Sequence, residues 1–175
     1  EALLHNISGV CYKATGQLQM AVQSFKRAVE IKSDFADAHY NLGLTLQELN
    51  QLDDAVKSYL KALTIKSDYA EAYNNLGVTL KDLDQLEEAV KCYEKALIIK
   101  PDYPEAHNNL GNALKNLGRL SKAVECFERM LTIDPDNAEG HNNLGNTLYV
   151  LGQPNAASKS YMKALAIEPE YAEAH

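Results

Sequence analysis

Tryptophan is absent from this chain, and phenylalanine and cysteine each occur only three times. Cationic residues are in deficit. Lys and Arg total 17 against 24 Asp and Glu, for a formal net charge of −7, and no block of like charges stands out. An acidic chain repels a phosphate backbone, so nucleic acid is not an expected partner. No stretch approaches the roughly 18–20 uninterrupted apolar residues that would span a bilayer, which excludes a membrane-spanning helix. No charged-then-apolar leader opens the chain. It begins with Glu1 rather than Met, and the expectation is a segment of a longer protein. What is present is the composition of a globular protein of 175 residues, 46% hydrophobic and 23% charged.

Internal similarity is the dominant feature. Glycine recurs every 34 residues at Gly9, Gly43, Gly77, Gly111 and Gly145. The same step links Ala21, Ala55, Ala89, Ala123 and Ala157, and links Phe25, Tyr59, Tyr93, Phe127 and Tyr161. It also links Ile31, Ile65, Ile99, Ile133 and Ile167. The expected units are 2–35, 36–69, 70–103, 104–137 and 138–171, with 172–175 opening a sixth, in one continuous array.

Each unit reads as two helices. In the second, Ala38, Leu42, Leu46 and Leu49 form one apolar stripe. Leu52, Ala55, Val56, Tyr59, Ala62 and Leu63 form another. Between the stripes falls the column Gly16, Asn50, Asp84, Gly118 and Gly152, residue types that tolerate a left-handed backbone at a helix end. Asp53, Ser121 and Asn155 follow, placed to cap the second helix. Ser33, Ser67, Pro101, Pro135 and Pro169, each before an acidic residue (Asp34, Asp68, Asp102, Asp136, Glu170), supply the turn to the next unit. Helices of roughly 12–14 residues are marginal alone in water, so stacking must stabilise them. Met130 breaks the small-residue column Ala28, Ala62, Ala96 and Ala164.

His107, Leu110, Gly111, Leu114, Ala123, Phe127 and Pro135 stand at the offsets of the tetratricopeptide repeat. The chain resembles that family over essentially its whole length, departing at Ser8, at Ser33 and Ser67, and in its lack of tryptophan. The resemblance implies an all-α fold, a right-handed superhelical solenoid of stacked antiparallel helix pairs whose first helices line a concave groove. The pentatricopeptide alternative would run at 35 residues and be basic.

Little here points to catalysis. His5, His39, His107, His141 and His175 share one column with Tyr73, and imidazoles one unit apart cannot converge on a zinc ion at about 2.0–2.1 Å. They read as packing residues, with neither metal nor cofactor expected. Cys92 and Cys126, one unit apart, exceed the roughly 7 Å reach of a disulfide. With Cys11 they read as small buried hydrophobes in a reducing, cytoplasmic compartment. No Ser-His-Asp set, phosphate loop or close carboxylate pair stands out, so no enzyme is expected.

One polar column asks for a reason: Asn41, Asn75, Asn109 and Asn143, with Ile7 in the first unit. Steps of four, three and four place Glu71, Asn75, Val78 and Asp82 on one helix face. Likewise Glu105, Asn109, Asn112 and Asn116 share a face, as do Glu139, Asn143, Asn146 and Val150. By the resemblance this face, with Asp37, lines the groove. An amide offers the donor and acceptor that a peptide backbone presents. The column resembles the asparagine ladder in the repeat arm of O-linked N-acetylglucosamine transferase. The alternative is that the amides bond between neighbouring helices and stiffen the array. The neighbouring column Asn74, Asn108 and Asn142 reads as partly exposed. Lys81 and Lys115 lie at the edge, too few for a carboxylate clamp, so a neutral or basic peptide fits best. The expected function is a protein-interaction scaffold. Alternatives are the substrate-recruiting arm of a larger glycosyltransferase or sulfotransferase, and a module self-associating end to end through Tyr161, Leu165 and Ile167.

Overall fold

A computed structural model describes residues 1–169 of the chain. The described residues form ten helices and no strand. In chain order these are α1 (Ala2–Ala14), α2 (Leu18–Ile31), α3 (Ala36–Glu48), α4 (Leu52–Ile65), α5 (Ala70–Asp82), α6 (Leu86–Ile99), α7 (Pro104–Asn116), α8 (Leu120–Ile133), α9 (Ala138–Val150) and α10 (Pro154–Ile167). They alternate between 13 and 14 residues. Two compact units divide at Gln85 and Leu86. In the first, α1 packs on α2, α2 on α3, α3 on α4 and α4 on α5; in the second, the same succession runs from α6 to α10. The last expected turn, closing at Glu170, and residues 171–175, including His175, lie outside the described residues.

The odd-numbered helices end alike. Gly16, Asn50, Asp84, Gly118 and Gly152 all have positive φ, between 57° and 75°. At the first of these ends Gly16 N–H donates to Lys13 O at 3.0 Å and Gln17 N–H to Tyr12 O at 2.8 Å. Leftover helical carbonyls are thereby satisfied in the Schellman pattern. The bond pair recurs after α3, α5, α7 and α9, for example Gln51 N–H to Leu46 O at 2.8 Å. The even-numbered helices end in extended backbone, at Lys32 φ −135° and Lys66 φ −127°. Asp134, which precedes Pro135, has φ −126°. Lys32 and Lys66 thus adopt before Ser33 and Ser67 the geometry that a proline imposes on its predecessor.

Helix starts correct one expectation. Asp53, Ser121 and Asn155 sit one residue inside their helices, and the capping positions are Gln51, Arg119 and Gln153, with no side-chain cap bond. In α4 Asp53 and Asp54 instead place negative charge beside the helix N-terminus, which its dipole favours. Pro104 and Pro154 stand at the first helical position, where no N–H is needed.

Small residues set two kinds of close approach. Within a helix pair the aromatic ring lies over the glycine. A β-carbon on Gly43 would stand 2.7 Å from the Tyr59 ring, and one on Gly111 would stand 2.7 Å from Phe127. Between pairs, Ala28 and Ala38, like Ala62 and Ala72, are completely buried. Met130 occupies the equivalent position before α9 and is also buried. A β-carbon on Gly140 would lie 2.8 Å from Met130 Cε, so the larger side chain is matched by the loss of a methyl opposite it.

Candidate functional site

The asparagine column occupies the middle of the odd-numbered helices, and its members there are all half-buried. In the first unit Asn41 Nδ2 donates to Asn6 Oδ1 at 3.2 Å, joining α3 to α1. Asn75 Nδ2 donates to the Tyr40 hydroxyl at 2.9 Å, joining α5 to α3. In the second unit Asn143 Nδ2 donates to Asn108 Oδ1 at 3.1 Å, joining α9 to α7. Each bond spans 35 residues, one period plus one position. The stiffening role weighed against ligand binding is thus present in the geometry, and it uses the amide nitrogens.

The acceptor atoms are divided differently. Asn75 Oδ1 receives a long bond of 3.4 Å from Asn74 Nδ2. Asn41 Oδ1 and Asn143 Oδ1 have no bonded partner among the described residues.

The neighbouring column is not partly exposed throughout, as its spacing had indicated. Asn74 is 5% exposed and Asn142 1%, with Asn108 half-buried. One residue along a helix is a turn of about 100°, which carries these amides from the open face into the seam between successive odd-numbered helices. The signal was available in the period itself. Asn6, Tyr40, Asn74, Asn108 and Asn142 all carry a hydrogen-bonding group at that position.

Tyr40, which sequence reasoning passed over, anchors an aromatic cluster in the first unit. Its ring lies 4.8 Å from that of Tyr69 and 6.0 Å from that of Tyr59, centre to centre. Burial, then the nearby Glu71 carboxylate, push the Tyr40 phenol up, while the Asn75 bond acts the other way. Tyr69 is pushed up chiefly by burial and further by Asp37. Both phenols therefore stay protonated at neutral pH. Tyr59 donates to Gln47 Oε1 at 2.8 Å.

Around the column the carboxylates form an acidic border. Asp37, Asp82, Glu105 and Glu139 are exposed, as is Asn116, while Glu71, Asn112 and Asn146 are half-buried. In the second unit Glu139 Oε1 accepts from Asn108 at 3.2 Å, and Asn112 approaches Asn108 at 3.5 Å. Asn146 Oδ1 accepts from the Tyr161 hydroxyl at 2.8 Å, which ties the face to α10. In the first unit Lys13 pairs with Glu48 at 2.9 Å and Lys81 with Asp82 at 3.5 Å.

The histidines take a specific packing role. Nε2 of His39, His107 and His141 lies 3.0, 2.9 and 2.9 Å from the carbonyl oxygens of Ser33, Pro101 and Pro135. A carbonyl only accepts, so Nε2–H donates and the ring ties the turn to the following helix. No group of three or more potential metal-binding side chains gathers among the described residues. Burial pushes the Cys92 and Cys126 thiols up to about 11, leaving them protonated and weakly nucleophilic. Tyr161, Leu165 and Ile167 are half-buried. The large apolar side chains most exposed on α9 and α10 are Tyr149, Val150 and Met162. No described helix is long and apolar enough to cross a membrane.

No curated protein matches the sequence. Among solved structures, MamA from Desulfovibrio magneticus RS-1 superposes with a TM-score of 0.90 at 20% identity, over 97% of this chain and 96% of that one. YrrB, described as a TPR protein with an unusual peptide-binding site, gives a TM-score of 0.86 at 24% identity, over 99% and 90% of the two chains. PilF of Pseudomonas aeruginosa gives 0.86 at 24%, over 99% and 79%. At these identities the likeness is one of fold. The TPR repeat profile matches residues 9–50, 48–84 and 79–118, and the tetratricopeptide repeat profile matches 104–137 and 138–171. With these profiles matching most of its length, the chain belongs to the tetratricopeptide repeat family, whose all-α superhelical fold serves as a scaffold for protein–protein interaction.

Proposed function

We propose that the asparagine-bearing faces of the odd-numbered helices bind extended, neutral or basic segments of another protein, and that this chain performs no catalysis itself. The observation that carries this reading is the division of labour within the amides. Nitrogens of Asn41 and Asn143 are committed to neighbouring helices, while their oxygens stay available to accept from a ligand backbone N–H. The locked nitrogens hold the oxygens in place, which lowers the entropy lost on binding. The acidic border disfavours an acidic ligand and favours Lys and Arg beside the bound backbone. Each such bond contributes about 0.5–1.5 kcal/mol, against about 2–5 kcal/mol to order a flexible peptide. Affinity should therefore be micromolar or weaker. The peptide-binding site named for YrrB occurs on the same fold, which is consistent with this reading.

Two pairs of substitutions separate holding from binding. Asn6→Ala with Asn108→Ala removes the acceptors of the inter-helix bonds and leaves the column intact. Asn41→Ala with Asn143→Ala removes the two amides of the column whose oxygens are left to accept. Against an array of short neutral, basic and acidic peptides, the first pair should lower the thermal midpoint and retain binding. The second should lower both. Undiminished binding by the second pair would leave the column a structural role alone.

A further inference from the structure

The inner face of the first unit differs in chemistry from the asparagine-rich face of the second. α1 carries Leu3, Ile7 and Val10, one turn apart on a single face, where later helices carry Asp or Glu at the first of these positions and Asn at the second. These side chains are 60%, 50% and 47% exposed. The row continues across the unit, because Val10 is followed one and two periods later by Leu44 on α3 and Val78 on α5, both half-buried. The matching positions on α7 and α9 are Asn112 and Asn146. The helices bearing the apolar row touch in sequence, α1 to α3 and α3 to α5. Charge borders it unevenly. Asp37, Glu48, Glu71 and Asp82 stand against Lys13 and Lys81, four carboxylates less two ammonium groups, a surplus of two negative charges. Both lysines are already paired with carboxylates of the border, Glu48 and Asp82. Asp37 has no cationic partner among the described residues.

We infer that Leu3, Ile7, Val10, Leu44 and Val78 form an apolar subsite that takes large aliphatic or aromatic side chains from a peptide whose flanking residues are Lys or Arg. This rests on the peptide-binding reading above and deepens it. Exposed aliphatic side chains at adjacent turns gain by covering one another from water, without backbone recognition. The acidic border then selects the flanks by charge complementarity. The second unit, with amides at the same positions, contributes no such preference.

The absence of tryptophan from the chain permits a direct measurement, because a tryptophan placed on a peptide is the only indole in the mixture. The probe is a short peptide with two leucines between lysines and a terminal tryptophan. One companion has serine for leucine, and a second has glutamate for lysine. The intact chain should bind the leucine–lysine peptide at least about tenfold more tightly than either companion, as expected for covering one large apolar side chain. Ile7→Asn with Val10→Asn installs residues already borne at these positions by α7 and α9, and should erase the preference for leucine. Leu3→Ser is the second variant should that pair lose helicity by circular dichroism. Equal binding of the leucine and serine peptides, a preference that survives substitution, or equal binding of the glutamate peptide would each overturn the subsite. So would a dimer in sedimentation that the Ile7 and Val10 substitutions abolish, since the occupant is then a second copy. If the serine peptide still binds and depends on Asn41 and Asn143, the broader peptide-binding function survives without the subsite. If no peptide binds, both fail.

Discussion

His39 shows how a single side chain can hold a turn and also limit the conditions under which it holds. Its Nε2–H donates to the Ser33 carbonyl, but burial dominates and lowers its pKa below the ordinary 6.5, with Lys61 adding to the effect. The charged form is thus disfavoured in the fold relative to the unfolded chain. Between the folded pKa and about 6.5 the unfolded chain binds more protons, so stability rises with pH in that window and is complete above it. Acidification from pH 7.5 to 5 should lower the urea midpoint of the wild-type chain more than that of His39→Gln. Equal losses would show that His39 takes no part in the acid sensitivity. At this scale the packing role of the histidines was legible, since imidazoles a full repeat apart cannot share an ion. Their carbonyl partners were not, because a bond six residues back depends on how the turn folds.

Helices here are joined by compensating pairs more than by single residues. At the ordinary joint the two equivalent positions are both buried alanines, as at Ala28 and Ala38. Before α9 the pair is Met130 and Gly140, and a β-carbon on Gly140 would reach to 2.8 Å of Met130 Cε. Met130→Ala alone should cost about 2–5 kcal/mol through the cavity it opens. Adding Gly140→Ala fills part of that space and gains about 1 kcal/mol of helix propensity. In the wild-type background Gly140→Ala instead forces Met130 to move. A double-mutant cycle by urea unfolding should therefore give a favourable coupling of about 0.5–3 kcal/mol between the two alanines. Strict additivity would mean the two departures from the repeat are unrelated. Both irregularities were visible as sequence exceptions, but their pairing was not, because residues ten positions apart on different helices meet only after the turn between them is formed. Contacts within the turns between helix pairs were likewise not visible. Lys66 lies 4.2 Å from the centre of the Tyr69 ring, and Lys100 4.4 Å from that of Tyr103. At the equivalent turn after α8, Asn137 accepts from Gly140 N–H at 2.8 Å and caps α9 instead.

For the whole molecule, helices of 13 or 14 residues cannot be stable singly; at Gly9, Gly43, Gly111 and Gly145 the aromatic ring of the same helix pair lies against the glycine, while the outer alanines need a neighbour. A peptide of residues 36–69 should show little helix by circular dichroism. Residues 1–85, which form a compact unit of five helices, should be largely helical and unfold cooperatively. A helical 36–69 peptide would show that local propensity, not stacking, stabilises the fold.

The sequence alone determined the period, the two helices per unit and the left-handed turn residues. These follow from backbone sterics and side-chain size, which act over a few residues and repeat with the chain. It also located the polar column on one helix face, which needs only the geometry of a helix. Which atoms of that column are bonded within the fold, and which are not, was decided by tertiary structure. The distance from Asn143 to Asn108, or from Asn41 to Asn6, is set by how closely the small residues let successive helices approach. A hydrogen bond is made or lost over a few tenths of an ångström, a precision that no pattern of residue types contains.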